Sequence, residues 1–117
     1  MDIAILDNAP VRYATLNRTF HRTIIACCGN SVLQDVLSDL EISQAAFHVV
    51  FRLRPARSAS SNAEHKEIVA ALRARDGVRA GEIALLHKLT SAKEMAMAVN
   101  APTDAIDDHK GVVVHVL

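Results

Sequence analysis

The sequence predicts an all-α fold, an antiparallel helical bundle, on three observations. Aromatic residues make up only 3% of the chain while Ala, Leu, Ile and Val are plentiful, a balance that suits helix-on-helix packing better than a β-sandwich. Apolar residues recur at three-and-four spacing in several separate stretches, the period of one helical face. Residues that start, cap or stop helices punctuate those stretches. At 117 residues the chain has room for one domain with a continuous core.

The first helix is expected to open near Ala9-Pro10, since proline is tolerated in a first turn where its missing N–H would be unbonded anyway. It should close at Gly29-Asn30, with Tyr13, Leu16, Asn17, Phe20, Ile24 and Cys27 on one face and His21 joining that face through Asn17 and Ile24. Ser31 is a candidate N-cap for a second helix through Val32, Leu33, Val36, Leu37 and Leu40, continuing past Ile42, Ala46 and Val50 to about Arg54. Pro55 should stop it. The stretch ARSASSN, 56–62, reads as a polar loop. A third helix, from about Ala63 to Arg75, places His65, Ile68, Val69 and Leu72 on one face. Asp76 can cap a fourth, where Ala80, Ile83, Ala84 and His87 repeat those offsets and the helix extends to Val99. We therefore expect a helical domain over 1–99 and an irregular tail over 100–117, with Val112–Leu117 a candidate short strand.

Thirteen basic and thirteen acidic residues cancel, so the excess positive field that phosphate-backbone binding needs is absent and direct nucleic-acid binding is not expected. No stretch approaches the roughly 20 apolar residues of a membrane span, and the first residues lack the pattern of a signal peptide. The only cysteines, Cys27 and Cys28, are adjacent, a poor geometry for a disulfide. A reducing, cytoplasmic setting fits.

Asn17 and His21 lie four residues apart and project in the same direction, while His65 and His87 occupy inward faces of later helices. A lone histidine on an apolar face is ordinarily a hydrogen-bonded core residue. Three such residues are costly to bury without partners, and three neutral imidazoles with one oxygen suit zinc, nickel, cobalt or ferrous iron. Periodicity alone leaves both readings open. His48, His109 and His115 lack this context.

The run LNRTFHRTIIACCGNSVLQDVLSDL, followed by AEHKEIVAALRARDGVRAGEIALLHKL, resembles the FadR C-terminal ligand-binding (FCD) domain of GntR-family transcription regulators. The likeness lies in the order of motifs: Phe-His, Gly-Asn, a Leu-rich helix, Glu-His, an Ala-Leu segment ending in Asp, and a helix with a later His. It covers about Asn8 to Met97. The resemblance implies that Asn17, His21, His65 and His87 match the family's four metal-ligand positions, and that a divalent metal, zinc foremost, helps hold a small carboxylate effector.

Two departures from that pattern matter. Asn17 stands where the family usually has Asp, which is expected to weaken the site and shift its metal preference. The chain also starts part-way through the family domain, without the winged-helix half or the opening helices of the ligand-binding half. Apolar surface left open in this way calls for a partner, so a homo-oligomer is expected. Arg52 and Arg54 are candidates for contact with an anionic effector. Catalysis is not expected, because no general base accompanies the histidines: Glu67 should point away from His65, and neither Glu64 nor Glu67 sits in an HExxH motif. The resulting expectation is an effector-sensing domain without a DNA-binding part in this chain. Its alternative is a truncated structural remnant or a protein-interaction or dimerisation module that binds neither metal nor effector.

Overall fold

A computed structural model describes residues 1–39 and 44–100. They form six helices: α1 (Asp2–Leu6), α2 (Pro10–Ala26), α3 (Ser31–Asp39), α4 (Gln44–Leu53), α5 (Pro55–Arg73) and α6 (Gly77–Val99). No strand occurs among the described residues. The strand expected over Val112–Leu117 lies outside them, as do Leu40 and Ile42.

Helix α1 was not anticipated. It is only five residues long, and Ala4 is buried, while Asp2 ties it to α5 by accepting from Asn62 Nδ2 at 2.6 Å and pairing with Lys66 Nζ at 2.8 Å. Asn8, at φ 49°, breaks the chain between α1 and α2; asparagine enters the left-handed region more readily than most residues. Pro10 then starts α2 as expected, and Gly29, at φ 68°, supplies the left-handed turn beyond its end. Cys27, expected on the inward face, is exposed.

Asn30, rather than Ser31, caps α3: its Oδ1 accepts from the Leu33 N–H at 3.0 Å. Ser31 falls in the first turn instead. Helix α3 buries no residue, and Val32, Leu33 and Val36 are exposed. In α4, Val50 and Phe51 are buried, and the Phe51 ring meets Tyr13 edge to face with centroids 4.7 Å apart.

The largest departure from expectation lies in α5. The stretch 56–62, expected to be a loop, forms its first two turns. Pro55 ends α4 and at the same time supplies the first-turn proline of α5. Serine and asparagine have modest helix propensity, but tertiary packing overrides it: Arg57, Ser58, Ser61 and Asn62 are all buried. The buried face of these turns is polar, so it carries no apolar period.

Helices α5 and α6 form an antiparallel hairpin. Arg57 reaches Ser91, while Glu64 and His65 reach His87, so the partner position falls as the α5 position rises. Asp76 caps α6 through the Arg79 N–H at 2.9 Å, as the sequence predicts. Two apolar clusters stabilise the bundle. Ala4, Tyr13, Ala14 and Phe51 form one; Ile68, Ala71, Ala80 and Ile83, with Phe20 and Ile24 against them, form the other. Along α2, Asn17 falls between the residues given to each cluster and His21 sits beside Phe20, so the polar site is flanked by dry packing.

Candidate metal centre

Three helices each deliver one imidazole. His21 comes from the middle of α2, His65 from α5 and His87 from α6. His65 and His87 are buried, at 1% and 3% exposure, and His21 is half-buried. His87 Nε2 lies 3.3 Å from His65 Nε2 and 3.2 Å from His21 Nε2. The three rings thus turn the same nitrogen towards one point, with one ligand atom from each within 4.8 Å of the others. Phe20 stacks on the His65 ring with centroids 4.2 Å apart and walls it on one side.

Beyond the rings, Glu64 Oε2 accepts from His87 Nδ1–H at 2.5 Å. Glu64 in turn receives both Arg57 guanidinium ends, Nη1 on Oε1 and Nη2 on Oε2, each at 2.8 Å. Arg57 is itself buried and also donates to Ser60 Oγ and Ser91 Oγ, both at 3.1 Å.

The electrostatics keep the histidines neutral. Burial pushes the pKa of His21 down to about 2, with Lys88 and the other two rings adding to it. Burial likewise lowers His65 to about 3, helped by His87. His87 is lowered by burial although Glu64 opposes the shift. Burial alone would raise Glu64, but hydrogen bonds from Arg57 and His87 outweigh it and hold the carboxyl below its ordinary value. Neutral imidazoles are the form that binds metal.

These residues fit a divalent cation. Bonds of about 2.0–2.1 Å in a tetrahedral zinc shell would separate neighbouring nitrogens by about 3.3 Å, close to the two observed separations. A bare cluster is harder to satisfy. With its Nδ1–H donating to Glu64, His87 Nε2 has one lone pair, which can accept from only one of its two ring neighbours. Asn17 is buried and its Oδ1 has no hydrogen-bond partner, as expected of an oxygen available to an ion. A groove of about 340 Å³ beside the cluster is lined by Phe20, His65, Val69 and Arg73 among others.

The remaining sequence candidates lie elsewhere. Arg52 is exposed at the end of α4, and Arg54 pairs with Glu94 at 2.7 Å and reaches Met97 Sδ at 3.4 Å. His48 is half-buried in α4 with no partner for Nε2, while His109 and His115 lie outside the described residues. Arg57 carries no signal in the sequence, because its segment reads as a loop, and Glu64 reads there only as a candidate base. A glutamate directly before an inward histidine was the one available signal.

No curated protein and no solved structure matches the chain. A family model, the FCD domain, matches residues 1–90, a span that holds Asn17, all three clustered histidines, and the Arg57–Glu64 pair. Such domains are helical, effector-binding regulatory modules of GntR-type regulators, and no described helix is long and apolar enough to cross a membrane. With three-quarters of its length inside that match, the chain belongs to the FCD domain family.

Proposed function

We propose that this chain is the effector-sensing domain of a GntR-family transcription regulator, holding a divalent metal on His21, His65 and His87 with Asn17 as an oxygen ligand. Zinc is the best match to the donor set and spacing; nickel, cobalt and iron share the ligand preference. The observation that carries this reading is the convergence of three neutral Nε2 atoms at 3.2 and 3.3 Å on one point. An added ligand would take the shell from four donors to five, and a small carboxylate metabolite is the effector class we assign to it.

The groove beside His65 has the size of a small-molecule site, and Arg73 in its lining offers a cation to a second carboxylate. Arg52 and Arg54 stay as further candidate contacts, with Arg54 having to leave Glu94 to serve. Binding the effector in one arrangement more tightly than in another would shift the balance between them. Glu64 is committed to Arg57 and His87 and so is not a free base beside the histidines, which argues against Glu64-driven hydrolysis. Free thiols at Cys27 and Cys28 accord with a cytoplasmic setting.

A second reading is favoured by one observation. Leu85, Leu86 and Leu89 on α6, and Val32 and Val36 on α3, are exposed, so the chain can act as a self-associating module that needs no metal. Elemental analysis of the purified protein, beside His65→Ala and His87→Ala, separates the two. About one metal per chain, lost in both variants with a lower melting temperature, supports the sensor. Metal-free protein whose melt ignores both chelator and added zinc leaves the association module.

A further inference from the structure

We propose that Glu64, clamped by Arg57, is a positioning residue that fixes the proton of His87 on Nδ1 and so presents its Nε2 lone pair to the metal site; this rests on the metal-binding reading above. The geometry gives Glu64 little alternative. Its two oxygens receive the two Arg57 guanidinium ends at 2.8 Å, and Oε2 also sits 2.5 Å from His87 Nδ1. An ionised carboxylate is acceptor-only, so the proton in this contact belongs to the imidazole. The other ring nitrogen is then a lone pair, and it is the one that faces His21 and His65.

Arg57 makes the arrangement rigid. Its guanidinium is buried and bridges α5 to α6 through Ser91, and it also holds Ser60 three residues on in its own helix. A buried arginine with four such contacts holds the carboxylate in one plane, so the His87 ring cannot turn without breaking a charge-assisted bond. His65 has no equivalent: its Nδ1 is buried without a hydrogen-bond partner. The asymmetry marks His87, rather than His65, as a ring whose orientation the fold sets in advance, in the manner of the carboxylate–histidine pairs that orient metal ligands elsewhere.

The test uses the full chain in two forms, Glu64→Gln and the double variant Arg57→Met/Glu64→Leu. The double variant removes the acceptor while replacing a buried ion pair with apolar volume, a change often tolerated in folding. Long-range proton–nitrogen correlation spectra of chelator-treated, metal-free protein read the His87 tautomer, and competition with a chromophoric chelator reads zinc affinity.

We expect wild type to carry the His87 proton on Nδ1 and the double variant to lose that preference. Zinc affinity should fall about 10-fold in Glu64→Gln and about 100-fold in the double variant, with Glu67→Ala, exposed on the same helix, within about twofold of wild type. A clamp that merely stabilises the fold would lower melting temperatures and leave the tautomer unchanged. An Nδ1 tautomer retained in the double variant, or zinc affinities of both variants within about twofold of wild type, overturns the proposal. Wild type that takes up no zinc overturns the metal reading instead, and the metal-free tautomer still decides the role of Glu64.

Discussion

The metal-free protein should lose stability steeply as pH falls below about 6.5, and the histidine cluster sets the size of the loss. His21 and His65 are held neutral in the folded chain down to about pH 2 and pH 3 respectively, whereas in the unfolded chain both titrate near 6.5. Lowering the pH therefore protonates the unfolded state first and pulls the equilibrium towards it. The stability these groups provide is complete above about 6.5 and shrinks by about 1.4 kcal/mol per pH unit for each ring until its folded pKa is reached. At pH 5 the loss is about 2 kcal/mol for His65. It is somewhat less for His21, which keeps contact with solvent, and His87 adds in the same direction. A total of about 4 kcal/mol is a large share of the 5–15 kcal/mol typical of a domain. Urea unfolding with chelator present, at pH 8, 6 and 5, reads this directly, with His65→Gln as the control whose slope should be shallower by about 1.4 kcal/mol per pH unit. A wild-type midpoint that does not move between pH 8 and 5, or a His65→Gln slope equal to wild type, would refute the reasoning.

Other consequences are equally open to measurement. Asn17→Asp should tighten zinc binding, since a charged oxygen replaces an amide, yet destabilise the metal-free chain by burying an unpaired charge; competition titration and chelated melts should move in opposite directions. Zinc at a hundred times its dissociation constant should raise unfolding free energy by about 2.7 kcal/mol, and raising the chelator concentration should abolish the gain. Ile68→Ala, in the α5–α6 core, should cost about 2–5 kcal/mol in urea unfolding while leaving metal stoichiometry at one. Leu89→Lys, on the exposed side of α6, should change monomer stability by no more than about 0.5 kcal/mol and reduce any self-association seen in sedimentation.

Much of the bundle was legible in the sequence because most of its helices are signalled by local chemistry. Pro10 and Asp76 stand where α2 and α6 begin, and Pro55 follows the end of α4. His65 and His87 were readable as inward residues because each shares a helical face with apolar neighbours. What was not legible came from tertiary contacts. Helix α1 depends on Asp2 reaching Asn62 and Lys66, sixty or more residues away in sequence. The first turns of α5 bury serines, an asparagine and an arginine, whose polarity mimics a loop until their partners are known. Arg57 is hidden in the sequence for the same reason, and with it the clamp on Glu64. Periodicity could place three histidines on inward faces, but only the helix arrangement shows that the same nitrogen of each ring faces one point.

Zinc K-edge absorption spectroscopy on the loaded protein tests the central claim most directly. The account predicts one zinc per chain with only nitrogen and oxygen neighbours at about 2.0–2.1 Å, and multiple-scattering features of three imidazoles. Sulfur neighbours near 2.3 Å, the distance of a cysteine thiolate, would place the ion at Cys27 and Cys28 and contradict the histidine centre.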